Sequence, residues 1–131
     1  MKKELIYVEE ILDANHTGPA WIGYGFFNRT KKTVYFNGRI LGRGRGMIGN
    51  FVDIQSGHEH WVSGVKKNGE DRHWAGHGKI SIDESAIEEY LKITNEVKLP
   101  MNKFVIEAFD NEPKKSIANE IENVKLNNND T

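Results

Sequence analysis

Ala20-Trp-Ile-Gly-Tyr-Gly-Phe-Phe-Asn-Arg-Thr-Lys-Lys-Thr-Val-Tyr-Phe-Asn-Gly-Arg-Ile-Leu41 is the stretch that decides the fold. Aromatic and β-branched residues dominate both halves, and a polar Asn-Arg-Thr-Lys-Lys break divides them. Such residues fit a pleated, half-buried surface, so the stretch reads as two strands, Ala20 to Phe27 and Thr33 to Leu41. Trp21, Tyr24 and Phe26 in the first, and Val34 and Phe36 in the second, can supply an inward face, while Arg39 faces solvent. Gly23, Gly25 and Gly38 fit bends or bulges where a small sheet must curl.

Turn signals recur roughly every ten residues as far as Ile80, the spacing of short strands in a sandwich or small barrel. Three further strands are expected at Asn50 to Gln55, Glu59 to Lys66 and Arg72 to Ile80. Asn68-Gly69 reads as the tight turn joining the last two, because both residues tolerate the positive φ of a primed hairpin turn. Lys66 and Arg72 then face solvent.

From Ser81 the period changes: Ile82, Ala86, Ile87, Tyr90, Leu91 and Thr94 share one helical stripe behind a Ser-Ile-Asp-Glu capping-box pattern. A helix is expected from about Asp83 to the residues before Pro100. Lys103 to Phe109 reads as a strand, and Pro113 opens a final amphipathic helix through Ile117, Ile121 and Val124. Leu5 to Leu12 fits either helix or strand by pattern, and a strand or turn leading into the barrel is expected. The fold class is α+β: a strongly bent antiparallel sheet or SH3-like or OB-like barrel with one or two C-terminal helices. Residues 1–126 form a single domain, and Asn127 to Thr131 a frayed, disordered tail.

Composition bounds the chemistry. A chain of 131 residues suits one core, and without cysteine there is no disulfide framework, thiolate nucleophile or thiolate metal site. The N-terminal residues lack the pattern of a signal peptide, and no stretch is long and apolar enough to span a bilayer, so the expected location is the cytoplasm, with no membrane partner. The net charge of −1 conceals a division: residues 20–80 carry +6, residues 81–131 carry −5, and all five arginines lie in the middle segment.

Gly57 to Gly78 packs four of the five histidines and two of the three tryptophans into one expected hairpin. His58 and His60 share a face if they lie on a strand, as His73 and His77 do four residues apart, and neutral imidazole is a common ligand for divalent metals. Neither HExxH nor a cysteine sharpens that pattern, so no metal or other cofactor is expected. A catalytic histidine oriented by Asp53, Glu59 or Asp71 lacks a nucleophile: Ser56 and Ser63 are available, but Gly-x-Ser-x-Gly is absent. The Gly42-Arg-Gly-Arg-Gly-Met-Ile-Gly49 loop resembles phosphate cradles only in glycine content, since no Gly-Lys-Ser/Thr and no helix follows. No catalytic residue is assigned.

The remaining signal is a surface of cations and aromatic rings. Arg39, Arg43, Arg45, Lys66, Lys67 and Arg72, with Trp61, His73, Trp74 and Tyr35, supply what a single-stranded nucleic-acid surface uses: charges to track phosphates and ring faces to stack bases. The expected function is a non-enzymatic binding module for RNA or single-stranded DNA. The alternatives are a protein-interaction or adaptor domain and a histidine-dependent, metal-assisted hydrolase. Oligomeric state stays open.

Ala20-Trp-Ile-Gly23, Thr33 to Gly38, His60 to Gly69 and Asp71 to Gly76, followed by Ile82-Asp83 and Glu89-Tyr-Leu91, resemble a group of small bacterial proteins of unassigned function, over about residues 18–92. Some of that group carry a deoxyxylulose-phosphate synthase label. A thiamine-diphosphate enzyme is several times longer and needs a Gly-Asp-Gly motif that this chain lacks. The resemblance therefore implies a coherent bacterial domain and supplies no catalytic residues.

Overall fold

The computed structural model describes residues 1–72 and 78–113. Its strands are β1 (Lys2–Glu10), β2 (Ala20–Phe27), β3 (Thr33–Phe36), β4 (Arg39–Arg43), β5 (Phe51–Asp53), β6 (Glu59–Gly64), β7 (Ile80–Asp83) and β8 (Phe104–Glu107), with one helix, α1 (Ile87–Thr94), between the last two. The order β1-β6-β5-β4-β3-β2, closed by pairing of β2 back onto β1, makes a six-stranded antiparallel barrel. Closure removes the sheet edges that would otherwise invite association. The expected fold class is therefore present, with the N-terminal segment as the closing strand.

β1 is the seam. It runs antiparallel to β2 from Lys2↔Phe27 to Glu9↔Ala20 and to β6 from Ile6↔Gly64 to Glu10↔His60. Its helix-or-strand ambiguity in sequence has a physical cause: both faces are buried, so no apolar-polar alternation appears. Ile6 and Val8 join Trp21, Phe27, Val34, Phe36, Leu41, Phe51 and Val62 in the barrel interior. Leu5 and Tyr7 join Ala20 and Ile22 in a second core outside the barrel, covered by Ile80, Ile82, Ala86, Tyr90 and Phe104. Tyr24 packs against that outer core, and Phe26 packs against Tyr35 and Ile40. The inward face of β2 is thus Trp21, Gly23, Gly25 and Phe27, not the expected set containing Tyr24 and Phe26.

Thr33 to Leu41 is a hairpin rather than one strand. Asn37 and Gly38 take φ of 44° and 76°, the paired positive values of a primed two-residue turn, and Phe36↔Arg39 is the pair next to it. After β6 the expected hairpin does not continue. Gly69 N donates to Lys66 O at 3.1 Å, Gly69 but not Asn68 has positive φ, and Arg72 lies outside any strand. Of the expected strand Arg72 to Ile80, residues 73–77 lie outside the described residues, and the ladder begins only at Ile80, opposite Phe104.

The Ser81-Ile-Asp-Glu signal marks a cap two residues later than its first serine. Ser81 to Asp83 belong to β7, parallel to β2. Asp83 caps a single 3-10 turn (Glu84–Ala86), its side chain accepting from Ser85 N, before α1 begins. α1 ends at Asn95, in the left-handed region at φ 56°, whose N–H reaches back to the last helical carbonyls. β8 then pairs parallel with β7 from Ile80↔Phe104 to Asp83↔Glu107. The expected helix after Pro113 lies outside the described residues. Among the described residues, no helix is long and apolar enough to cross a membrane.

β2 shares its second edge: Phe26 and Phe27 pair with β3, whereas Trp21 and Ile22 pair with β7. Phe109 packs against the interior cluster there, its ring edge-on to Phe36 with centroids 5.7 Å apart. The adjoining chain is latched by Asp83, which accepts from Phe109 N at 3.3 Å and from Asn111 Nδ2 at 2.6 Å. Gly23 makes room for that ring, since a Cβ on it would lie 2.7 Å from Phe109. Gly23→Val should therefore lower stability by about 1–3 kcal/mol or more, read from denaturant midpoints. Combined with Phe109→Ala it should cost less than the sum of the two single changes, and strict additivity would show that the ring and the glycine do not meet.

Candidate functional site

The residues of the expected basic surface differ in their surroundings. Arg39 and Arg43 occupy opposite ends of β4. The Arg39 guanidinium sits 4.3 Å from the Trp21 ring centroid, and that of Arg43 lies 5.9 Å from the Phe51 ring. Arg39 is half-buried, so its expected exposure is corrected: it covers an aromatic ring of the interior. Arg45, Lys66 and Lys67 are exposed. Arg72 is also half-buried rather than solvent-facing, donating from Nη2 to the carbonyls of His16 at 3.2 Å and Gly18 at 2.9 Å. His73 and Trp74, also expected in the binding surface, lie outside the described residues, as does His77.

The two describable histidines of the expected cluster do not converge. His58 precedes β6, is exposed, and pairs through Nδ1 with Glu10 Oε1 at 2.9 Å. His60 is buried in the sheet, its Nδ1 donating to the His58 carbonyl at 2.9 Å. A carbonyl can only accept, which places the proton of the neutral ring on Nδ1. Its Nε2 is buried without a partner among the described residues. No group of three metal-capable side chains occurs among the described residues.

The glycine loop carries its own anion. Glu59 Oε1 accepts from the N–H groups of Ile48 at 3.0 Å and Gly49 at 2.9 Å. These donors hold the Glu59 carboxyl below the usual carboxylate range. A side chain on Gly46 would run into the same carboxylate. The main-chain donors that could cradle a phosphate are thus engaged by a carboxylate of β6, and the loop becomes a wall held against the barrel.

That wall borders a recess of about 370 Å³ on the outer face of β1 and β6, lined by Tyr7, Glu9, His16, Ile48, Trp61, Lys66 and Asp71. Glu9 lies directly opposite Trp61 in the β1–β6 register and is 1% exposed. Its two oxygens are both engaged: the Tyr7 hydroxyl donates to Oε1 at 2.8 Å, and His16 Nδ1 lies 2.8 Å from Oε2. Burial, followed by the Glu9 carboxylate beside it, pushes the Tyr7 phenol well above its usual range. His16 holds its position in the left-handed region at φ 55°, a conformation costly for a residue with a Cβ and often kept where geometry serves a site.

Asp71 completes the recess. Its Oδ1 accepts from Lys66 N at 2.7 Å, whereas Oδ2 is buried without a partner among the described residues. Burial raises its pKa from the usual aspartate value, against the lowering effect of Lys66. Trp61, 42% exposed, offers the aromatic surface. A larger recess of about 530 Å³ runs from Asn68 and Gly69 past the end of α1 to Phe104, but no buried carboxylate or imidazole lines it.

Of the expected binding residues, the recess brings together Trp61 and Lys66. Tyr7, Glu9, His16 and Asp71 were not singled out as binding residues by the sequence. One signal was available: Glu9 ends the apolar run Leu5-Ile6-Tyr7-Val8, where a carboxylate on a strand buried on both faces must find partners. Comparison with protein families, with curated proteins and with solved structures gives no match.

Two pH responses follow. Burial lowers the His60 pKa, so the unfolded chain binds the proton more readily, and stability present above about pH 6.5 declines as pH falls through the folded-state value. Denaturant midpoints measured from pH 8 downward should decline less for His60→Leu than for the parent. Asp71 has the opposite sign: its raised folded-state pKa gives stability that is full below about pH 3.8 and lost as pH rises through the folded value. Asp71→Asn, which keeps an acceptor for Lys66 N, should raise the midpoint at pH 7 and lose that advantage toward pH 4.

Proposed function

We propose that this protein is a non-catalytic binding module and that its ligand enters the recess beside Trp61. A small closed barrel is compatible with such a role, because rigid strands hold side chains without the mobility that loops introduce. The observation that carries the reading is a buried Asp71 oxygen without a partner, in a concave place that also presents an exposed indole. An unmet buried acceptor costs stability, and a donor arriving with a ligand would offset that cost.

A second reading, single-stranded RNA or DNA, is favoured by the exposure of Arg43, Arg45, Lys66 and Lys67 and by Lys66 standing at the recess that Trp61 lines. Phosphates would follow the cations while a base meets the indole. The two readings separate by salt, since phosphate neutralisation makes affinity fall steeply with ionic strength.

Fluorescence titration with short single-stranded RNA and DNA at low and physiological salt tests this. Saturable, salt-sensitive binding that is lost in a variant with Arg43, Arg45, Lys66 and Lys67 replaced by Ala would support the nucleic-acid reading. That variant should unfold within about 1 kcal/mol of the parent, because exposed charges contribute little to stability. Absence of oligonucleotide binding at low salt would leave the small-ligand reading alone.

A further inference from the structure

Three features of the recess bear on what it takes, on the reading that it is the binding place. First, its two carboxylates are in different states of satisfaction. Glu9 has Tyr7 on one oxygen and His16 on the other, so it is a completed internal network. Asp71 is 6% exposed and has only one oxygen engaged, by the Lys66 main-chain N–H. A carboxylate accepts and does not donate, so the missing partner is an N–H or O–H donor.

Second, Asp71 Oδ2 has no hydrogen-bond partner among the described residues, and the charge that acts on the carboxylate is that of the exposed Lys66. A buried carboxylate offset only by the exposed Lys66 is costly, and a cationic donor relieves the missing hydrogen bond and adds the closer charge. Third, the exposed face of the recess is Trp61, the aromatic side chain with the strongest attraction for cations. A volume of about 370 Å³ lies in the range of small-molecule pockets.

We propose that the recess binds a small organic cation, with an amidinium, guanidinium or ammonium group donating to the Asp71 carboxylate, whose Oδ2 is closed to solvent in this structure and turns outward to meet it, and a planar or short apolar body lying against the Trp61 indole. Glu9, with its oxygens held by Tyr7 and His16, does not compete for the donor. Ile48 closes the apolar side, on the loop that Glu59 fixes through two main-chain N–H groups. Lys66 contributes its main-chain N–H to Asp71, and its exposed side chain can turn to solvent.

The test uses the full chain and three probes of nearly one shape: benzamidine, a cation; benzamide, a neutral donor; and benzoate, an anion. Two-dimensional 1H–15N NMR titration reads weak binding and locates it, with Trp61→Phe assigning the indole N–H signal. Benzamidine should shift the Trp61 indole and the Lys66 amide saturably, with benzamide about ten-fold weaker and benzoate without effect, a ten-fold change being about 1.4 kcal/mol. Asp71→Asn should weaken benzamidine by about ten-fold or more while the remaining spectrum stays folded. Trp61→Ala should weaken it as well.

Benzamidine binding unchanged in Asp71→Asn would overturn the anchor. Benzoate binding at Trp61 in preference to benzamidine would leave the recess as a binding place and overturn the cationic class. No shift at Trp61 or Lys66 with any of the three would remove both the class and the recess reading.

Discussion

β1 is paired along both edges and buried on both faces, and the rest of the molecule depends on that double burden. Its ladder with β2 and its ladder with β6 close the barrel, so no sheet edge remains between them. Because successive side chains on a strand point to opposite sides, one strand feeds two cores. Ile6 and Val8 fill the interior, and Leu5 and Tyr7 seat the layer formed by β7, β8 and α1. A one-residue slip of β1 would exchange those two sets and place Glu9 among Val34, Phe36 and Leu41. Register is therefore strongly specified, and the place of Glu9 with it.

The outer layer does more than cover apolar surface. Asp83, buried at 1% exposure, caps the turn ahead of α1 and latches the chain around Phe109 and Asn111. Those donors lower its pKa against the opposing effect of burial, which keeps the group charged. One carboxylate thus ties the helix start to the segment that packs Phe109 against the barrel interior. Asp71 is the contrasting case, a carboxylate with burial and one donor only. Two aspartates of similar burial differ because one is structurally completed and the other is left with an open oxygen.

Local signals in the sequence were readable where they act over a few residues. The β-branched and aromatic run at Ala20 to Phe27 and the helical stripe ending at Thr94 correspond to elements, whereas α1 stops at its Asn95 cap, short of the Pro100 expected to end it. Asn37-Gly38 carries a hairpin signal as strong as Asn68-Gly69, yet it sits within a run of strand-forming residues where Gly38 also fits a bend. At Asn68-Gly69 the reverse holds: a turn forms, but Asp71 takes the Lys66 N–H with its side chain, and no ladder follows. Arg39 and Arg43, expected in one cationic surface, stand at opposite ends of β4. There each guanidinium finds an aromatic ring of its own.

The sequence by itself determined that the chain builds a small barrel-like domain from short, Gly-broken, aromatic-rich strands with a helix behind them, because those features rest on propensity and periodicity within a local window. It also determined that any metal or nucleophile chemistry would have to do without cysteine. Only the tertiary structure decided that the first nine-residue strand closes the barrel, that Glu59 holds the glycine loop, and that Tyr7, Glu9, His16, Trp61 and Asp71 meet on one outer face. Those meetings join β1, the loop after it, β6 and the turn beyond β6. Their contacts are set by strand register and closure, which no single segment encodes.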